Sequence, residues 1–140
     1  MELMIHRLHP DARLPEYAHN DDAGMDIFAY EETSVPARGR AAVSTAIAIA
    51  IPEGFVGLFW DKSGLASNHG LTILGGVIDA GYRGELRVTI ANTSDTEHVF
   101  AKGDKVTQML IQKIEHPTLI DTDRLPESER GAGGFGSTGK

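Results

Sequence analysis

The sequence predicts an all-β protein, because short runs of alternating apolar residues recur between turn residues and no long helical pattern interrupts them. The clearest run is AVSTAIAIAIP at 42–52, whose bulky side chains occupy every second position. It predicts one strand with a large face and a small face. Further runs are ELMIHRL, GMDIFAY, GFVGLFW, LRVTIAN and TQMLIQKIE, separated by Gly, Pro, Asp and Asn. This spacing is typical of a β-sandwich or β-barrel.

Two segments predict specific local elements. SGLASNHG at 63–70 is long enough for one short turn of helix. VIDAGYRGELRVTIAN at 77–92 indicates a hairpin, with an apolar arm that ends at Asp79, a turn through 80–84 and a second arm that returns from Glu85.

The length and composition predict a single domain. The chain has 140 residues, of which 41% are hydrophobic, enough for one modest core. After residue 120 the only sizeable apolar residues are Leu125 and Phe135. We therefore expect a β-barrel domain over 1–120 and a flexible, glycine-rich C-terminal arm over 121–140.

The charge balance argues against several classes of partner. The formal net charge is −7, whereas nucleic acids and anionic membranes are bound by clustered Lys and Arg. No apolar run approaches the length of a membrane span or a signal peptide. Cysteine is absent, which suits a reducing compartment and favours a cytoplasmic location. We therefore expect no nucleic-acid partner and no membrane contact.

Several polar residues allow both a structural and a functional interpretation. Asp79, at a strand end, either forms a turn or orients and deprotonates a water. Tyr82 either packs across a hairpin or forms a flat wall for a sugar or base. Asp26 either faces solvent on a strand or holds a metal-bound water. Ser63 either begins a helix or, with Lys62 and nearby backbone N–H groups, binds an anion.

Considered together and in order, five segments resemble the motifs of the trimeric all-β deoxyuridine triphosphate nucleotidohydrolases, the dUTPases. The segments are AGMDIFA, KSGLA, GVIDAGYRGE, GDKVTQML and RGAGGFGSTG, which extend over 23–139. The resemblance implies a jelly-roll-like β-barrel that assembles as a homotrimer with three shared active sites. It also implies Mg2+-dependent hydrolysis of dUTP to dUMP and pyrophosphate, by attack of water on the α-phosphorus.

The resemblance also implies roles for individual residues. Asp79 is the expected catalytic carboxylate, and Asp26 is expected to hold Mg2+ through water while the substrate phosphates carry most of the ion's coordination. Phe135 is expected to stack on uracil when the arm closes. The expected substrate-binding residues are Lys62, Ser63, Gly64, Val77, Ile78, Asp79, Tyr82, Arg87, Gln108, Arg130, Phe135, Gly136, Ser137 and Thr138.

Two positions depart from the family pattern. Lys62 stands where Arg is usual, and Lys lacks the planar fork that binds phosphate in a bidentate manner. Ile73 stands where many bacterial relatives carry an Asn that contacts uracil, so we do not expect Ile73 to bind the base.

Two alternatives remain beside the dUTPase interpretation. A dCTP deaminase, or a bifunctional relative of the same fold, needs a Glu on the returning strand, where this chain has Thr89. A nucleotide-sensing binding protein is expected to lack catalytic residues, whereas Asp26, Asp79 and Tyr82 are all present.

Overall fold

The computed structural model describes residues 1–133, and over that range the chain is built from antiparallel strands and one short helix. The helix α1 spans Ser63–His69. The strands are β1 (Met4–Arg7), β2 (Met25–Phe28), β3 (Thr33–Val35), β4 (Arg40–Ser44), β5 (Ile47–Ala50), β6 (Phe55–Trp60), β7 (Leu71–Leu74), β8 (Val77–Ile78), β9 (Arg87–Asn92), β10 (His98–Phe100) and β11 (Lys105–Lys113). The predictions of an all-β chain and of a short helix are confirmed.

Within residues 1–133 the strands form four antiparallel sheets around one core. A four-stranded sheet has the order β2-β11-β6-β8 and a three-stranded sheet the order β4-β9-β7, while β1 pairs with β5 and β10 with β3. The largest fully buried side chains include Ile27, Phe28, Ile47, Ile90, Phe100 and Met109. One shared core makes this a single domain. The arrangement is jelly-roll-like, although in the described range the four sheets do not join into a closed barrel.

The alternating run at 42–52 forms two strands, so the prediction of one continuous strand is wrong. Its large face is buried, since Val43, Ile47 and Ile49 are each at most 1% exposed, and its small face is buried at Ala46 and Ala48, which are 6% and 7% exposed. The break falls at Ala46, whose φ of 52° lies in the left-handed region that non-glycine residues rarely adopt. Beyond this bend β5 pairs with β1, whereas β4 pairs with β9.

The predicted hairpin is also rearranged. The strand that pairs with β9 is β7, with Leu74 opposite Thr89, while β8 pairs with β6 in the other sheet. Gly75 has a φ of 65°, which only glycine adopts readily, and it turns the chain away from β9. Gly76 O then accepts a hydrogen bond from Phe59 N at 2.8 Å. As a result, 79–86 forms a loop that joins β8 in one sheet to β9 in another.

Candidate functional site

A pocket of about 340 Å3 lies where β2, β11 and the start of α1 meet. We call it the Asp26 pocket. It brings together the expected residues Asp26, Lys62, Ser63, Gly64 and Gln108. Its other lining residues are Ala18, His19, Asp22, Ala23, Gly24 and Lys105.

Asp26 is buried in this pocket and is contacted by two lysines. It is 4% exposed, and its carboxylate oxygens separately contact Lys62 Nζ and, at 2.6 Å, Lys105 Nζ. Burial raises the pKa of Asp26, but the hydrogen bonds from Lys105 and Lys62 outweigh it, so the pKa lies below its ordinary value. Of the two interpretations of Asp26, the one that placed it on a solvated face of its strand is therefore excluded. The carboxylate and the two ammonium groups together carry a net positive charge.

Lys105 belongs to the site although the sequence did not single it out. Residues three apart on a regular strand point to opposite faces, which would separate Lys105 from Gln108. The register of β11 against β2 shifts between Lys105 and Thr107, as in a β-bulge. Both side chains consequently line the same pocket. The one feature of the sequence that could have identified Lys105 is its position in the same motif, GDKVTQML, as Gln108.

Gln108 is held in a fixed orientation by its surroundings. Its Nε2 donates to the carbonyl oxygen of Asp61 at 2.8 Å, which leaves the second amide hydrogen free for another acceptor. Gly24 packs beneath it so closely that an added Cβ would lie 2.9 Å from Gln108 Oε1. The Asp61 carboxylate accepts hydrogen bonds from Ile73 N at 2.7 Å and Thr72 Oγ1 at 2.9 Å. Asp61 therefore ties the segment before α1 to β7.

A second pocket, of about 230 Å3, surrounds the start of the loop after β8. We call it the Asp79 pocket, and it is lined by Val77, Ile78, Asp79, Tyr82, Glu85, Leu86 and Arg87. β8 is an edge strand of its sheet, so one row of its backbone groups has no strand partner within residues 1–133. Val77 is 65% exposed at this edge, while Ile78 packs against the core.

Tyr82 is fixed over its own loop. Its hydroxyl donates to the carbonyl oxygen of Glu85 at 2.9 Å, and its backbone N–H donates to Asp79 O at 3.0 Å. An added Cβ at Gly84 would lie 2.7 Å from Tyr82 Cζ, so the ring requires glycine there. Tyr82 is 45% exposed, with a ring that is free to contact a ligand on its outer side.

The expected site residues do not all meet within one chain. The Asp26 pocket and the Asp79 pocket share no lining residue. Arg130 lies in an exposed turn, where its Nε donates to Gly133 O at 2.7 Å, and it lines neither pocket. The expected contacts of Phe135, Gly136, Ser137 and Thr138 fall outside the described residues.

The structure also bears on metal and membrane binding. In the range 1–133, no three His, Cys, Asp or Glu residues cluster closely enough to hold a metal ion by themselves. Over the same residues, no helix has the length and apolar character needed to cross a membrane.

Comparison with known proteins places the chain in a family. The family model described as dUTPase matches residues 10–139. The deoxyuridine 5'-triphosphate nucleotidohydrolase of Thermobifida fusca is 46% identical over 96% of this chain and 77% of its own length. The dUTPase of Staphylococcus bacteriophage 80alpha, solved with dUpNHpp, has a TM-score of 0.90 and 34% identity, with 99% of each chain covered.

A third similar structure is a dUTPase variant from phage phi11 of S. aureus, in which a structural Mg(II) ion is coordinated. It has a TM-score of 0.82 and 32% identity, and the match covers 89% of this chain and 98% of that one. The family model, the similar sequences and the similar solved structures are thus all those of dUTPases. The chain belongs to the dUTPase family.

Proposed function

We propose that this protein is a dUTP diphosphatase that hydrolyses dUTP to dUMP and pyrophosphate, and so limits uracil in DNA and supplies dUMP for thymidylate synthesis. The observation that carries the proposal is the Asp79 pocket, where an edge strand with free backbone groups lies next to a carboxylate and an outward-facing tyrosine. Membership of the dUTPase family supports the same activity.

Uracil is recognised by the free edge of β8. Backbone groups of Val77 and Ile78 would pair with the uracil edge, and cytosine would then place donor against donor. An unpaired buried polar group costs about 1–3 kcal/mol, which is enough for strong discrimination. Tyr82 stacks against deoxyribose and leaves no space for a 2′-hydroxyl. Arg87, at the rim of the same pocket, contacts the substrate from the other side.

The triphosphate occupies the Asp26 pocket. Lys62 supplies positive charge, the start of α1 supplies Ser63 and Gly64, and the free amide hydrogen of Gln108 donates to a phosphate oxygen. The Ser63 hydroxyl makes no hydrogen bond to the residues described, which supports its availability to a ligand. Arg130, Gly136, Ser137 and Thr138 contribute from the C-terminal arm.

Asp79 acts on the attacking water. Its carboxylate accepts a proton from the water while the water oxygen forms a bond to the α-phosphorus. The bond from the α-phosphorus to the oxygen that bridges to the β-phosphorus then breaks, and pyrophosphate leaves. Positioning by Asp79 and general-base help contribute about 10²–10⁴-fold to the rate.

Mg2+ fits this site as an ion held mainly by the substrate phosphates. Both oxygens of Asp26 already contact lysines, which supports indirect rather than direct binding of the ion. Each oxygen keeps a second lone pair that can accept a hydrogen bond from a metal-bound water. When bound with the triphosphate, the ion supplies charge that stabilises the leaving pyrophosphate. Asp26 would hold it through water.

A homotrimer completes the site. The separation of the Asp26 pocket and the Asp79 pocket within one chain supports a shared site, in which one copy provides the first and another copy the second. Within residues 1–133 the last strand ends at Lys113, and Leu119 and Ile120 are 92% and 81% exposed. These features support a domain over 1–120 and an arm over 121–140 that closes on a site of another copy, with Phe135 on the uracil ring.

A cytoplasmic location is consistent with the absence of cysteine. No observation favours the alternatives. Thr89, where a dCTP deaminase needs a carboxylate, pairs with Ala42 and Leu74 inside a sheet, and its hydroxyl does not exchange protons as a carboxylate does. A nucleotide-sensing protein without catalysis is disfavoured because Asp79 and Tyr82 line one pocket.

The test is pyrophosphate release from dUTP, dCTP, dTTP and UTP, each with Mg2+ and with a chelator. We expect turnover of dUTP alone, and only with Mg2+. Equal turnover of all four nucleotides would refute the specificity, and ammonia release from dCTP would support the deaminase. Light scattering of active protein should give a trimer, since a monomer with full activity contradicts a shared site.

A further inference from the structure

Glu85 connects the loop of the Asp79 pocket to the bend between β4 and β5. Its carboxylate accepts hydrogen bonds from Ser44 Oγ and, at 2.9 Å, from Ala46 N. Ala46 is the residue with the positive φ of 52° that separates the two strands. The side chain of Glu85 therefore satisfies the backbone N–H at the most unusual backbone position of this bend.

The main chain beside Glu85 strengthens the connection. Leu86 N donates to Ile47 O at 2.8 Å, and Thr45 Oγ1 donates to Leu86 O at 2.5 Å. Leu86 and Thr45 are at most 1% exposed. The bend and the end of the loop thus form one buried hydrogen-bonded unit, with Glu85 at its boundary with the pocket.

The same residue also holds the opposite side of the loop. The carbonyl oxygen of Glu85 accepts the hydroxyl hydrogen of Tyr82, and Tyr82 N in turn donates to Asp79 O. A continuous series of hydrogen bonds therefore runs from Ala46 through Glu85 and Tyr82 to Asp79. The three loop residues all line the Asp79 pocket.

We infer that Glu85 is a positioning residue, which anchors the substrate-facing loop to the β4–β5 bend and thereby sets the place of the Tyr82 ring and of Asp79. The inference rests on the proposed function for its consequence in catalysis, but the anchoring itself does not depend on any substrate. Tyr82 has no other described side-chain partner for its hydroxyl, so its ring position depends on where the Glu85 backbone lies.

The electrostatics of Glu85 suit this role. Burial raises the pKa of its carboxyl, but the hydrogen bonds from Ser44 and Ala46 and the nearby charge of Arg87 lower it by more, so the pKa lies below its ordinary value. The ionised carboxylate is the form that accepts both hydrogen bonds. Both hydrogen bonds go to the same oxygen, Oε1, so the amide oxygen of a glutamine can accept both, but more weakly because it carries no charge.

The test compares Glu85→Ala with Glu85→Gln and with Glu53→Ala, the control. Glu53 is exposed in the turn before β6, and its side chain makes no hydrogen bond to the described residues. The decisive quantity is the ratio of kcat/KM for dUTP to kcat/KM for UTP, because Tyr82 faces the sugar. We expect Glu85→Ala to lower this ratio by about tenfold, Glu85→Gln by less and Glu53→Ala not at all.

A double variant separates the positioning of the loop by Glu85 from a general effect of Glu85 on stability. Ala46→Gly removes the strained φ, so adding it to Glu85→Ala should restore thermal stability while the dUTP to UTP ratio stays low. If Ala46→Gly restores the ratio as well, or if Glu85→Ala never changes it, the positioning role is wrong.

Amide hydrogen exchange tests the anchor without any turnover. Tyr82 N, protected by its hydrogen bond to Asp79 O, should exchange about tenfold faster in Glu85→Ala and at the wild-type rate in Glu53→Ala. An unchanged rate in Glu85→Ala would overturn the anchor. Failure of the wild-type protein to hydrolyse dUTP would instead overturn the proposed function, and the exchange result would stand separately.

Discussion

Replacing Asp26 with asparagine should destabilise the protein, because it removes the buried negative charge between two lysines. Asp26→Asn keeps the size of the side chain, so it leaves no cavity. The new amide has one acceptor oxygen and one NH2 donor, and the donor would face an ammonium group. The two lysines would also lose the carboxylate that separates their charges.

The magnitude follows from the two contacts. A hydrogen bond to a charged group contributes about 1.5–3 kcal/mol, and exposure to solvent reduces that value. Asp26 has a side chain only 6% exposed, but Lys62 and Lys105 are 27% and 43% exposed. We therefore expect Asp26→Asn to lower the free energy of unfolding by about 2–4 kcal/mol.

The assay is chemical denaturation followed by circular dichroism, at one protein concentration for all variants because an oligomer's stability depends on concentration. Asp11→Asn is the matched control, since Asp11 also contacts a lysine, Lys102, but both side chains are about half exposed. The control should leave the unfolding midpoint unchanged. If Asp26→Asn shifts the unfolding midpoint no more than the control does, the argument that burial makes this ion pair strong is refuted.

The pH dependence gives a second check on the same residue. The folded-state pKa of Asp26 lies below the ordinary value of 3.8, so between these two values the unfolded chain binds more protons. The stabilisation is therefore present above pH 3.8 and is lost as the pH falls through the lower, folded-state pKa. The difference in the free energy of unfolding between wild type and Asp26→Asn should have its full size at pH 7 and should shrink below pH 3.8. A difference that does not change with pH would contradict the low pKa of Asp26.

Four further changes test the catalytic and structural assignments. Asp79→Asn should lower kcat by about 10²–10⁴-fold while affinity for dUpNHpp stays within a few-fold, as measured by steady-state kinetics and calorimetry. Deletion of 130–140 should leave the circular dichroism spectrum and the trimer intact but severely reduce turnover, and Phe135→Ala should weaken the closed state. Gly57→Ala should lower the free energy of unfolding by about 1–3 kcal/mol, because its Cβ would overlap Met109 Cε and lie 2.7 Å from Ile51 Cδ1.

For three of these changes, one outcome would contradict the reasoning. An Asp79→Asn protein with normal kcat would exclude that carboxylate from the chemistry. Full activity after deletion of 130–140 would make the arm a linker. Gly81→Ala is the control for Gly57→Ala, because a Cβ at Gly81 meets nothing within 4 Å, and equal loss in both variants would refute the packing argument.

Local patterns were sufficient for the fold class and brought together some of the expected site residues. The period of two over 42–52 depends only on neighbouring residues, and it predicted strand structure with a large face that includes Val43, Ile47 and Ile49. The motif around Asp79 and Tyr82 likewise predicted two residues that line one pocket. These features were readable because strand alternation and a short loop both act over a few residues.

Long-range contacts decided the rest. The bend at Ala46 depends on a hydrogen bond to Glu85, which lies 39 residues away along the chain, so the alternating pattern contained no sign of it. The buried charge of Asp26 is compensated by Lys62, just before α1, and Lys105, in β11, both far from it in the sequence. The bulge in β11 brings Lys105 to the same side as Gln108, against the period of a regular strand.

The sequence by itself thus determined the fold class and the apolar faces of the strands, and it predicted which residue types would carry the chemistry. Only the tertiary structure decided which charges meet, because an ion pair depends on distance in space and residues far apart in the chain have no local pattern that reports it. It also divided the expected site between the Asp26 pocket and the Asp79 pocket, a separation that no motif order contains.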